Sequence, residues 1–197
     1  MKNIILTISI LALFLILFIG CSEDDSTVTP DTTIDGTFTL SSIAIQDGEL
    51  LDDYKCESKT NDMENSIPLS WSNVPKGANS LAVIMKHHPN ASDQTMANSY
   101  LLLWDIDASV TAIPYGTADD GPWYMGANKD GKAISYSSPC SPSAGSHEYT
   151  ITLYALSETP ASLPNESSID VDYYTLLDAI SASTIVQETS LTFNDVN

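Results

Sequence analysis

Arginine is absent from this chain of 197 residues, whose seven basic residues are all lysines set against 26 acids. The formal charge of −19 excludes two partner classes together, because a field of that sign repels both nucleic acid and anionic lipid surfaces. Lacking a guanidinium, the chain also lacks the bidentate fork that grips phosphate and carboxylate most firmly. Histidine is confined to His87, His88 and His147, and cysteine to Cys21, Cys56 and Cys140, too few for a disulfide framework. Neither a G-x-S-x-G elbow nor an H-E-x-x-H helix occurs, so the common hydrolase signatures are missing and no enzyme is expected.

Long apolar runs are lacking too, with one exception at the N-terminus. Lys2 precedes sixteen uncharged residues, Ile4 to Ile19, followed by Gly20-Cys21. A bilayer span needs about 20 apolar residues, so the run has the length and flanks of a secretory signal. The segment LFIGC resembles a bacterial lipobox, with Phe18 where leucine is usual. Residues 1–20 are therefore expected to be a lipoprotein signal peptide cleaved before an acylated, palmitate-bearing Cys21, the alternative being an uncleaved membrane anchor. Either puts the remaining chain outside the cytoplasm, in a bacterial cell envelope and by expectation on the outer membrane.

Residues 21–36 begin with that cysteine and continue as SEDDSTVTPDTTIDG, too poor in large apolar side chains to fold and so expected to be a disordered acidic tether. An acidic run after an acylated cysteine also resembles the surface-export signal of some bacterial lipoproteins. Cleavage leaves 177 residues with charge −20, so membrane attachment must come from acyl chains. Residues 37–197 make one domain, large enough for its own core. Outside the cytoplasm, Cys56 and Cys140 either form a bridge or remain two buried thiols.

Strand signals occur at 37–45, 80–86, 100–106, 148–156 and 185–193. SLAVIMK and YLLLWDI are nearly continuous apolar runs, the pattern of strands buried on both faces. Gly48, Pro75-Lys76-Gly77, Pro89-Asn90, Asp120-Gly121-Pro122 and Pro139 punctuate them. One segment, about 170–182, has helical spacing at Val171, Tyr174, Leu177 and Ile180 behind an Asp170 or Ser168 cap. The fold class is therefore all-β, a mainly antiparallel β-sandwich with a C-terminal helix.

Two stretches carry a resemblance. SIPLSWSNVPKGANSLAVIM and YSSPCSPSAGSHEYTITLYAL, with FTLSSIAIQDGELLDDYKC before them, are similar in order and content to motifs of the phosphatidylethanolamine-binding proteins over about residues 37–193. That resemblance implies a sandwich with a small pocket at one end, taking anionic or phosphoryl groups and needing no cofactor. Carried over, it places His147, Tyr100, Tyr136, Pro139, Cys140 and Pro142 at the pocket, with His88 where the family has an acid of its D-P-D-A-P loop. The departures are large: both acids of that loop are gone, Tyr100 replaces a histidine, and Glu148 replaces an arginine.

The donors left are the Tyr100 hydroxyl, the imidazoles of His88 and His147, and backbone N–H groups of the 136–146 loop. They suit noncatalytic binding of a small anionic or phosphoryl-bearing group, strengthened below about pH 6.5 where imidazole charges. The family also contains protein inhibitors, so a protein-binding or protease-inhibitor-like module with a vestigial pocket is the alternative. A third reading is a metal site using His87, His88, His147 and Glu148. Trp71, Trp104 and Trp123 are expected to pack in the core or at the pocket rim.

Overall fold

The computed structural model describes residues 36–55, 64–90, 92–93, 95–140 and 143–196. The expectations for the signal peptide, Cys21, the tether, Cys56 and Pro142 lie outside the described residues. Among those described, no helix is long and apolar enough to cross a membrane.

In chain order the elements are β1 (Thr39–Ser41), β2 (Ile45–Gln46), β3 (Glu49–Leu50), β4 (Leu69–Ser72), β5 (Ser80–His87), β6 (Asn98–Asp107), β7 (Ala112–Ile113), β8 (Tyr124–Met125), β9 (Ser146–Leu156), α1 (Tyr173–Ser181) and β10 (Ile185–Val196). They form a three-stranded sheet, β1-β4-β7, and a seven-stranded sheet, β2-β3-β10-β9-β5-β6-β8. Neighbours run antiparallel except at β3 and β10, which meet in parallel where Asn194 lies beside Glu49. The Asp47-Gly48 pair turns β2 into β3 with φ of 53° and 81°, the left-handed pair that a two-residue hairpin requires.

The apolar runs in β5 and β6 are explained by two cores. Leu81, Val83 and Met85 enter the core between the sheets with Leu40, Trp71, Ile151 and Phe193. Their alternates Ala82 and Ile84 face the other way, joining Leu102, Trp104, Leu176 and Ile180 beneath α1. A strand covered on both faces has no polar alternate, which removes the period-two signature. Tyr154 interrupts the alternation of β9 because it packs on the α1 side.

Two boundaries differ from expectation. The 37–45 segment is two short strands, because the Ser42 hydroxyl donates to the Pro68 carbonyl and accepts the Ala44 N–H, turning the chain between them. The helix begins at Tyr173, capped by Asp172, whose carboxylate accepts the Thr175 N–H at 2.8 Å. Ser168 instead accepts from Asp170 N–H in the preceding turn. The buried face is Tyr173, Leu176, Ala179 and Ile180, while Tyr174 is 46% exposed and reaches outward to donate to the Thr95 carbonyl at 2.8 Å.

Candidate functional site

Antiparallel pairing brings the end of β5 and the beginnings of β6 and β9 to one edge of the sandwich. There His87 pairs with Tyr149 on one side and Asn98 on the other, and His147 pairs with Asp195 of β10. Odd-numbered residues of β5 and β9 face the inter-sheet core, so His87, His147 and Tyr149 share that face. Tyr100 joins them through an irregularity: the β5–β6 register shifts between Met85 and Lys86, and the pairing passes from Leu101 to Ser99. A bulge of this kind re-aims a side chain.

Together these residues line a hollow of about 240 Å³ whose wall includes His87, Asn98, Tyr100, Lys129, His147 and Tyr149. His87 stacks on Tyr149 with ring centroids 4.8 Å apart and meets His147 edge-on at 5.9 Å. Tyr100 stands edge-on to Tyr149 at 5.0 Å. The Lys129 ammonium lies 5.5 Å from the centre of the Tyr100 ring, a cation–π contact.

Hydrogen bonds fix the imidazole protons. His87 Nδ1 lies 2.8 Å from the Glu148 carbonyl and His147 Nε2 lies 3.1 Å from the Ser143 carbonyl. A carbonyl only accepts, so each of those nitrogens carries a hydrogen and donates. In a neutral ring the other nitrogen is then a lone pair; in a charged ring it becomes a second donor.

Burial pushes the Tyr100 hydroxyl above the ordinary phenol value, opposed by its hydrogen bond with Tyr149 and assisted by Asp130, Asp195 and Glu64. Burial, with Tyr100 as its neighbour, drives the Tyr149 hydroxyl much further up. Both phenols are therefore neutral donors. Asp195 is fully buried behind them, and neither oxygen has a hydrogen-bond partner; its charge is met by Lys55 Nζ at 3.8 Å.

Of the residues singled out in the sequence, Tyr100, Cys140 and His147 line this hollow. His88 does not. It lies on an adjoining hollow with Lys86, its Nδ1 donating to the Met96 carbonyl at 3.0 Å. Tyr136 is buried in the inter-sheet core and Pro139 is buried beside it in the chain, neither reaching the lining. Cys140 is disulfide-bonded and so offers no thiolate. Trp71, Trp104 and Trp123 each donate their indole N–H to a backbone carbonyl away from the hollow.

Among the described residues no three His, Cys, Asp or Glu side chains converge as a metal-holding group. His87 and His147 approach one another, but His88 turns to its own loop and Glu148 meets His87 through its backbone carbonyl.

Sequence reasoning missed His87 as a lining residue of the hollow, and also missed Lys129, Asn98 and Tyr149. The strand period held a signal for two of these: His87 and Tyr149 fall two positions from Met85 and Ile151, which face the inter-sheet core. Lys129 had none, since the turn that carries it is set by Asn128 accepting backbone N–H groups of Lys132 and Ala133.

A two-sheet sandwich with a polar hollow at the mouth of its central strands belongs to the class of β-sandwich binding folds. The family model described as phosphatidylethanolamine-binding protein matches residues 41–194, and the chain belongs to that family. A UPF0098 protein of Methanothermobacter thermautotrophicus is 33% identical over 128 residues, covering 63% of this chain and 79% of the relative. The crystal structure of CT736 from Chlamydia trachomatis, titled a putative phosphatidylethanolamine-binding protein homolog, superposes with TM-score 0.64 at 25% identity, covering 80% of this chain and 96% of that one. Escherichia coli YbcL, titled a new member of the mammalian family, shares the fold with TM-score 0.65 at 22% identity, over 82% and 99% of the two chains.

Proposed function

We propose that this protein is a noncatalytic binding module, displayed on the bacterial cell envelope by a lipid on Cys21, that takes a small anionic or phosphoryl-bearing group in the His87–His147 hollow. The observation that carries the reading is the placement of Lys129 on the Tyr100 ring beside the two imidazoles, a cation in the hollow of a chain that has few. Lys129 supplies the fixed charge that the family-like motifs lack without their arginine. Tyr100 adds a neutral hydroxyl, and each imidazole gains its second donor on protonation. Glu64, Asp130 and Asp195 nearby oppose an anion, so the affinity is modest.

Titration calorimetry of the domain with inorganic phosphate and with O-phosphorylethanolamine, at about pH 6 and about pH 8, tests this. Binding is expected at both. Lys129→Met is expected to weaken it about tenfold, or ~1.4 kcal/mol. No heat with either ligand at either pH, from protein that is folded, overturns the proposal. The envelope placement is tested separately by palmitate labelling, expected for the full chain and lost in Cys21→Ser.

A further inference from the structure

The His87–His147 pair stands between two hollows. The inner one holds Lys129; the second, also about 240 Å³, is lined by Lys86, His88, Glu148 and Thr150 and shares His87, Pro89 and His147 with the first. Strand alternation explains the arrangement. His87 faces the inter-sheet side, and its neighbour Lys86 faces the α1 side, where its ammonium lies 5.9 Å from the centre of the Tyr173 ring. Each hollow thus has its own lysine resting on an aromatic ring. Among the described residues Lys55 forms ion pairs, whereas Lys86 and Lys129, like Lys76 and Lys132, form none, although acids outnumber lysines 26 to seven. An ammonium kept from carboxylates in so acidic a protein is available to a ligand.

We propose that the site is two-seated, and that its ligand carries two acidic groups on a linker. One group sits beside Lys129 and Tyr100, the other beside Lys86 and His88, and the linker passes the His87–His147 pair. This rests on the anion reading of the inner hollow given above. Glu148 also faces the outer hollow and opposes the second group. It is exposed and therefore well screened, while Lys86 and His88 are half-buried, so the cations prevail. The two seats make the second binding event intramolecular, which raises affinity only when the linker spans the separation.

The test is a series of alkane α,ω-bisphosphonates with about one to six methylenes, compared with inorganic phosphate on the folded domain. The affinity is expected to pass through a maximum with linker length, at least tenfold tighter than phosphate at the best length. In Lys86→Met that preference is expected to fall to about one, and in Glu148→Gln to rise two- to threefold. A protein that binds phosphate but favours no bisphosphonate, or a folded Lys86→Met variant that keeps the full preference, overturns the second seat. Binding of neither phosphate nor any bisphosphonate overturns the anion reading beneath it.

Discussion

Asp195 and Lys55 form the least forgiving pair in the described residues, because the carboxylate is fully buried with no hydrogen bond to offset its desolvation. Removing one partner of such a pair typically costs about 3–5 kcal/mol, since the other charge is stranded. Lys55→Met is expected to lower the unfolding free energy measured by urea denaturation by that order, and adding Asp195→Asn to restore much of it. The buried tyrosines give a second prediction. Unfolded tyrosines ionise near pH 10, whereas burial holds Tyr100 above that value and Tyr149 further still, so the unfolded state releases protons first. The stability contributed by this pair is therefore level below about pH 10 and declines above it, with tyrosinate absorbance from the pair appearing only on unfolding. Denaturation midpoints across that range, read beside the ultraviolet spectrum, check both. At this scale the site was partly legible: His147 and Tyr100 stood out by motif. His87 was overshadowed by His88, because motif matching places residues along the chain while a strand places them by face.

Among the elements, α1 and the segment leading into it depend on two local devices. A Cβ on Gly126 would lie 2.4 Å from the Val171 carbonyl, the same oxygen that accepts the Ala127 N–H at 2.9 Å. Gly126→Ala must displace the backbone entering the helix and is expected to cost about 1–3 kcal/mol. Losing the cap in Asp172→Ala is expected to cost about 1 kcal/mol. Thermal unfolding of both variants compares the two, with the glycine change the larger or equal. The long strands β5 and β6 were readable because their apolar content is high whichever face is counted. The short ones were not: β2, β3, β7 and β8 have two residues each, too few for any period, and exist because longer neighbours supply their hydrogen bonds. The helix was legible as an element but its face was shifted, since both Tyr173 and Tyr174 fit an apolar stripe and only packing against β5 and β6 selects the first.

For the molecule as a whole, the charge of −19 acts at distances where no single lysine can. At low ionic strength it repels an approaching anion before Lys129 is felt; salt shortens that reach to about 10 Å at 0.1 M. The association rate for phosphate-bearing ligands is expected to rise with added salt, opposite to a cationic receptor, and stopped-flow measurements between low and moderate ionic strength decide it. The family and the sandwich were readable at this scale, being spread over most of the chain. The position of the hollow was not, because it depends on which ends of β5, β6 and β9 meet. Consecutive residues of β5, Lys86 and His87, open onto opposite sides of one sheet, so the two cavities are coupled by the parity of a single strand. Exchanging the two side chains in a Lys86→His/His87→Lys double variant would put each on the wrong face and silence both, whereas a change of length beyond Pro89 would spare them.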